Sequence, residues 1–217
     1  MRARPSTVRS LAAAATIIAV AALRPALAES TAADYNAEGV QQYNAKKWDE
    51  AIQSFAKAYE LEKANPTVRR NLCNAYQAQA NDYARSEDFD TASKLLVLAI
   101  SVDPENASPL IQLGSYYLHS DMNSDAAYRL SEAVELDPGN VDAQDLLGDA
   151  YYKQNDLAAA VAQWEYVRGV EPDRRGLEAK LQKAYRESSV ESNFNKTASS
   201  HFEYLHKPNI NGVDLNK

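Results

Sequence analysis

Cysteine is nearly absent from this 217-residue chain: Cys73 stands alone, so no intrachain disulfide can form. Stability must therefore come from packing, even if the protein works in an oxidising compartment. Histidine is almost as scarce. His119, His201 and His206 are the full set, and none lies in a His-Glu-x-x-His frame or beside cysteines at zinc-ligand spacing. His119 suits the negative end of a helix, and His201 with His206 reads as a surface pair in an irregular tail. The seven glycines never form a phosphate-cradling loop, and no serine sits in a nucleophile elbow. The run Ser86-Glu87-Asp88-Phe89-Asp90 is what a solvated helix start looks like. Catalytic residues, a cofactor and a metal are accordingly none by this reading. Positive charge is also in deficit: the formal net charge is -7, and there is no basic stripe of the kind that tracks a phosphate backbone. Nucleic acid is excluded as a partner on that ground.

Only one long apolar run exists. Arg2, Arg4 and Arg9 precede Leu11 to Leu23, followed by Pro25 and the small-residue site Ala26-Leu27-Ala28. That layout predicts a cleavable signal peptide over residues 1–28, because the run falls short of the roughly 20 residues a spanning helix needs. The expected mature chain begins at Glu29, has no stable membrane span, and is exported to the periplasm of a bacterium or secreted. Cleavage removes four arginines and no acid, which takes the net charge from -7 to -11. No cysteine follows the run to serve as a lipoprotein attachment point.

What the chain does have is a period. Pro104, Pro138 and Pro172 lie 34 residues apart, Gly114 returns as Gly148, Tyr117 as Tyr151, and Ala92, Ala126 and Ala160 keep step with Leu96, Leu130 and Trp164. Self-similarity at such an interval marks an array of stacked units. Within one unit, Leu147, Gly148, Ala150 and Tyr151 share one helical side, and Ala160, Trp164 and Val167 another. Asn155-Asp156 between them supplies a turn and a helix start, and Pro172 ends the second helix. Each unit is thus a helical hairpin that buries its faces by stacking. Units are expected near 32–65, 66–106, 107–140 and 141–174, with a capping helix over 175–188 that carries Leu177, Leu181, Ala184 and Tyr185 inward and Lys180, Lys183 and Arg186 outward. Residues 189–217 are expected to form an irregular tail.

The second unit breaks the period. Tyr76 to Ala92 spans 16 positions where Tyr117 to Ala126 spans nine, an excess of seven residues. Seven is almost two turns, so a longer first helix keeps its face in phase, and the alanine-rich segment 78–84 predicts helix from about Thr67 to Arg85. Cys73 falls at the small position held by Gly114 and Gly148 elsewhere, which makes it a packing residue.

Leu110, Leu113, Gly114, Tyr117, Ala126, Leu130, Ala133 and Pro138 together resemble the tetratricopeptide repeat (TPR) family. The fourth unit follows it with Leu147, Gly148, Tyr151, Ala160, Trp164 and Pro172, departing at Gln144. The resemblance covers about residues 32–187. It implies an all-α fold, a right-handed superhelical α-solenoid of TPR hairpins with a C-terminal capping helix. It also implies a protein or peptide partner, bound in a groove lined by the first helix of each unit. Carried over by position, that groove contains Asn36, Val40 and Tyr43, then Arg70, Asn74 and Gln77. Ile111, Ser115, Leu118 and His119 follow, and Asp142, Asp145, Asp149, Tyr152 and Lys153 complete it. One end reads polar to basic and the other acidic, and Asp145 and Asp149 stand where a carboxylate-clamping relative would place cations.

The expected function is a non-catalytic scaffold or adaptor in the cell envelope, with self-association through an open end of the stack as a further possibility. An alternative rests on Glu191 to Phe194 and Ser199 to Tyr204, which resemble the junction where some repeat proteins enter a zinc-peptidase-like domain. That would make the chain the N-terminal interaction module of a larger envelope enzyme.

Overall fold

The computed structural model describes residues 30–189. The chain divides into two units, Met1–Ser30 and Thr31–Lys217, and every described helix belongs to the second. The signal-peptide segment, His201, His206 and the stretch 191–204 all lie outside the described residues.

Nine helices fill the described part, and no strand occurs there. In order they are α1 (Ala32–Asn44), α2 (Trp48–Leu61), α3 (Pro66–Arg85), α4 (Phe89–Val102), α5 (Ala107–His119), α6 (Asn123–Leu136), α7 (Val141–Lys153) and α8 (Leu157–Val170). The last, α9, spans 177–189. They pack in sequence, each odd helix against the even one that follows and each pair against the next. This is the all-α helical-repeat fold that the 34-residue period demands. No described helix is long and apolar enough to cross a membrane.

Local chemistry sets the boundaries. The first helix of every pair begins on a side-chain cap: Thr31 for α1, Asn65 for α3, Asn106 for α5 and Asn140 for α7 each accept a hydrogen bond from a backbone N–H of the first turn. Thr31 and Asp34 complete a capping box. Each hairpin turn then uses a non-glycine residue in the left-handed region, Lys46, Glu87, Asp121 and Asn155, with φ between 56° and 62°. The turn after α7 gives way to Asp156, whose carboxylate accepts from the Ala159 N–H and starts α8.

Within three of the pairs, a glycine on the first helix lets a large side chain of the second lie against bare backbone. Gly39 receives Phe55, Gly114 receives Leu130 and Gly148 receives Trp164; a β-carbon on Gly39 would come within 2.6 Å of the Phe55 ring. Three of the largest fully buried side chains sit in these notches.

The second pair solves the same problem differently. α3 has 20 residues where α1, α5 and α7 have 13. Its extension is fastened on both sides: the Trp48 indole N–H donates to Asp82 (2.6 Å), Gln79 to Asp49 (2.6 Å) and the Tyr116 hydroxyl to Asn81 (2.7 Å). The small residue that shares a core cluster with Ala92 and Leu96 is Ala80. Cys73, assigned to that position from the period, sits seven residues too early, because the two added turns move α4 along α3. Its thiol is buried and accepts weak hydrogen bonds from the amides of Gln77 (3.3 Å) and Asn106 (3.5 Å). Burial, helped by the nearby Asp103 carboxylate, pushes the Cys73 thiol up to about 11, so it stays protonated and unreactive at neutral pH.

Candidate partner-binding face

Among the described residues, three clefts stand out along the first helices. The first of them, about 860 Å³, lies at the N-terminal ends of α3, α5 and α7, where Arg70, Asn74, Ser108 and Ile111 line it together with Asp137 and Asp142. The second, about 510 Å³, is walled by α5, α7 and α9, with Trp164 of α8 also lining it. The third, about 150 Å³, is a notch between Val40 and Tyr43 on one side and Asn71 and Asn74 on the other.

Most residues named from the repeat positions line one of these clefts. Arg70, Asn74 and Ile111 line the first, Leu118, Asp149 and Tyr152 the second, and Tyr43 the notch, where its ring meets Trp48 edge-on at 5.1 Å. Asn36 is half-buried and accepts from the Asn71 amide at 2.8 Å, which joins α1 to α3. Gln77 lies beneath the surface rather than on it: it is buried, its amide donates to Cys73 and its carbonyl accepts from Ser108 at 2.7 Å. The added turns of α3 carry it under α5. His119 ends α5 and stacks on Phe89, ring centres 4.3 Å apart.

The acidic end expected around α7 is neutralised. Arg174 donates to Asp142 (2.6 Å) and Asp145 (2.9 Å), and Lys180 pairs with Asp145 (2.7 Å) and Asp149 (2.6 Å). Lys180, expected to point outward from the capping helix, instead turns back across α7, while exposed Lys183 lines the second cleft with it. A helical wheel of α9 alone could not show this, since the partners lie about one repeat away. These pairs also dock α9: the Tyr152 hydroxyl donates to Glu187 at 2.6 Å.

Asp149 does not gain from its position. Burial raises its carboxyl above the ordinary aspartate value more strongly than the bond and charge of Lys180 lower it. The folded state therefore holds this proton more firmly than the unfolded state, and the group's contribution to stability falls as pH rises through the range above the ordinary value. At pH 7, Asp149→Asn should leave the melting temperature unchanged or higher. Asp145→Asn strips both Arg174 and Lys180 of a partner and should cost about 1–3 kcal/mol. Thermal melts of the two variants side by side check this; an equal drop in both would refute the burial argument.

The fold is similar to that of solved TPR domains. YrrB, described as a TPR protein with an unusual peptide-binding site, superposes with a TM-score of 0.56 at 20% identity, over 73% of this chain and 78% of its own. The first TPR of Spaghetti (RPAP3), bound to the HSP90 peptide SRMEEVD, gives 0.53 at 20% identity over 54% of this chain and 93% of its own. The Sgt2 TPR domain from Aspergillus fumigatus gives 0.52 at 20% identity over 67% and 90%. At that identity the likeness concerns the fold. No family model matches the chain, and curated protein sequences give no match to it.

Proposed function

We propose that the mature chain is a non-catalytic exported scaffold that recruits another polypeptide in the cell envelope through the face of its first helices. The observation that carries this reading is the pair of clefts, about 860 and 510 Å³, lined chiefly by α3, α5, α7 and α9. Cavities of that size with a few converging polar groups are where ligands bind. Two of the similar solved structures are, by their descriptions, a protein bound to a peptide and one with a peptide-binding site. The signal-like N-terminus of the sequence supports export.

Panning a displayed peptide library on residues 29–217 tests the binding half. A peptide class should be enriched, and the combined Asn74→Ala, Asp149→Ala and Tyr152→Ala variant should lose it while remaining helical and folded by circular dichroism at the temperature of the binding assay. Enrichment no better than on an unrelated helical protein would defeat the scaffold reading. Fusing residues 1–28 to a reporter active only outside the cytoplasm tests the other half, and a silent reporter would remove export from the proposal.

A further inference from the structure

We propose that the cleft walled by α5, α7 and α9 is filled, in the partner-free protein, by the chain's own segment after α9, with the Phe194 ring on the cleft floor. Its corollary, that a partner using this cleft must displace Phe194, rests on the scaffold reading; occupation by the tail does not.

The cleft suits a neutral apolar group. Leu118, Leu146 and the rings of Tyr152 and Trp164 form its floor, the two rings 5.7 Å apart. Its cations are already engaged: Lys180 pairs with Asp145 and Asp149, Lys153 with Asp121, and Lys183 bonds to the Tyr152 hydroxyl beside Glu187. At about 510 Å³ the space takes one or two side chains rather than a folded surface.

The chain leaves the array at the mouth of this cleft. α9 forms one wall and runs to residue 189, and Glu187, two residues earlier, accepts a hydrogen bond from the lining residue Tyr152 at 2.6 Å. Val190-Glu191-Ser192-Asn193-Phe194 follows. Five residues reach at most about 18 Å, while packed helix axes lie about 8–10 Å apart. Phe194 is therefore within reach of Leu146 and Tyr152 on α7, with slack to spare.

Phe194 also has no place in the repeat. Of the four phenylalanines, Phe55 and Phe89 belong to α2 and α4, while Phe194 and Phe202 lie beyond residue 189, where the 34-residue period supplies no further unit to bury them. Segment 190–217 sets Glu191, Glu203 and Asp214 against Lys196, Lys207 and Lys217, so it carries no net charge and an acidic array does not repel it. Phe194 closes the shorter loop, five residues from 189 against 13 for Phe202, and so gives up less chain entropy. A contact too weak to hold a free peptide suffices here, because a short tether presents the ring at an effective concentration on the order of millimolar.

NOE spectroscopy on residues 29–217, with labelled Phe rings and Leu methyls, tests the proposal. Ring protons of Phe194, assigned by their loss in Phe194→Ser, should show NOEs to the methyls of Leu118 and Leu146. Contacts from Phe202 instead, or from neither ring, would overturn it. Contacts seen only between differently labelled chains would put a second copy's tail in the cleft and overturn the intramolecular occupant. The corollary is read with a library-selected peptide that Tyr152→Ala fails to bind. Phe194→Ser should bind that peptide at least about fivefold tighter, since apparent affinity scales with the fraction of open sites. Equal binding by parent and variant would overturn displacement. If Phe194 makes its contacts and no peptide binds, the scaffold reading alone fails; if a peptide binds and Phe194 makes none, this inference alone fails.

Discussion

Trp164→Ala should cost about 3–5 kcal/mol, the range for deleting a buried aromatic, and should loosen the C-terminal end of the array before the rest. The side chain is 2% exposed and packs with Ala160, Val167, Leu177, Leu181 and Ala184. Its indole N–H donates to the Asp145 carbonyl at 3.3 Å. One residue thus ties α8 to α7 and to α9. A stacked array is stabilised unit by unit and interface by interface, so a loss at the end is not shared equally. Hydrogen exchange should show amides of α7, α8 and α9 losing protection while those of α1 to α3 keep theirs. A parent-like melt would remove Trp164 from the core, and uniform loss along the chain would show that the array opens as one block.

Gly148→Ala should destabilise although alanine is the better helix former. The intrinsic gain from removing a helical glycine is up to about 1 kcal/mol. Against it, a β-carbon at 148 would lie 2.6 Å from Cδ1 of Trp164, a ring that is 2% exposed and held in place by its packing with Val167, Leu177 and Leu181. Overpacking of this kind costs about 1–3 kcal/mol, which decides the sign. Gly169 is the control: it lies in α8, and a β-carbon there meets no atom within 4 Å. Gly169→Ala should therefore stabilise, by up to about 1 kcal/mol. Chemical denaturation of both variants gives the comparison, and a shared sign would show that the notch at Gly148 is not tight.

The period exposed the hairpins to reading because each buried position returns after 34 residues, and stacking requires it to. Helix through the extra seven residues followed from the same logic, since an insertion of nearly two turns leaves a buried face where it was. Sliding was invisible to it. Nothing in the letters says whether Cys73 or Ala80 shares the cluster with Leu96, because both lie on the same side of α3 and only packing against α4 decides. The charges of the second cleft were illegible for a different reason. Asp145 and Asp149 read as an acidic patch on their own helix, but Lys180 and Arg174, which neutralise Asp145, stand 35 and 29 residues further on. Lys183, read as facing outward, is exposed, but a surface lysine on a capping helix carries no mark in the sequence of the Tyr152 ring it overhangs.

The lengthened α3 also sets a condition on what can lie across these helices. Seven residues at 1.5 Å each add about 10 Å of axis, and seven turns of 100° stop about 20° short of two revolutions. A strand crossing from the α1 side to the α5 side therefore meets a stair about two coils high and slightly rotated, between treads that are otherwise evenly spaced. A stiff partner shaped for a regular staircase can rest on one flight only, and one that occupies both must bend at α3.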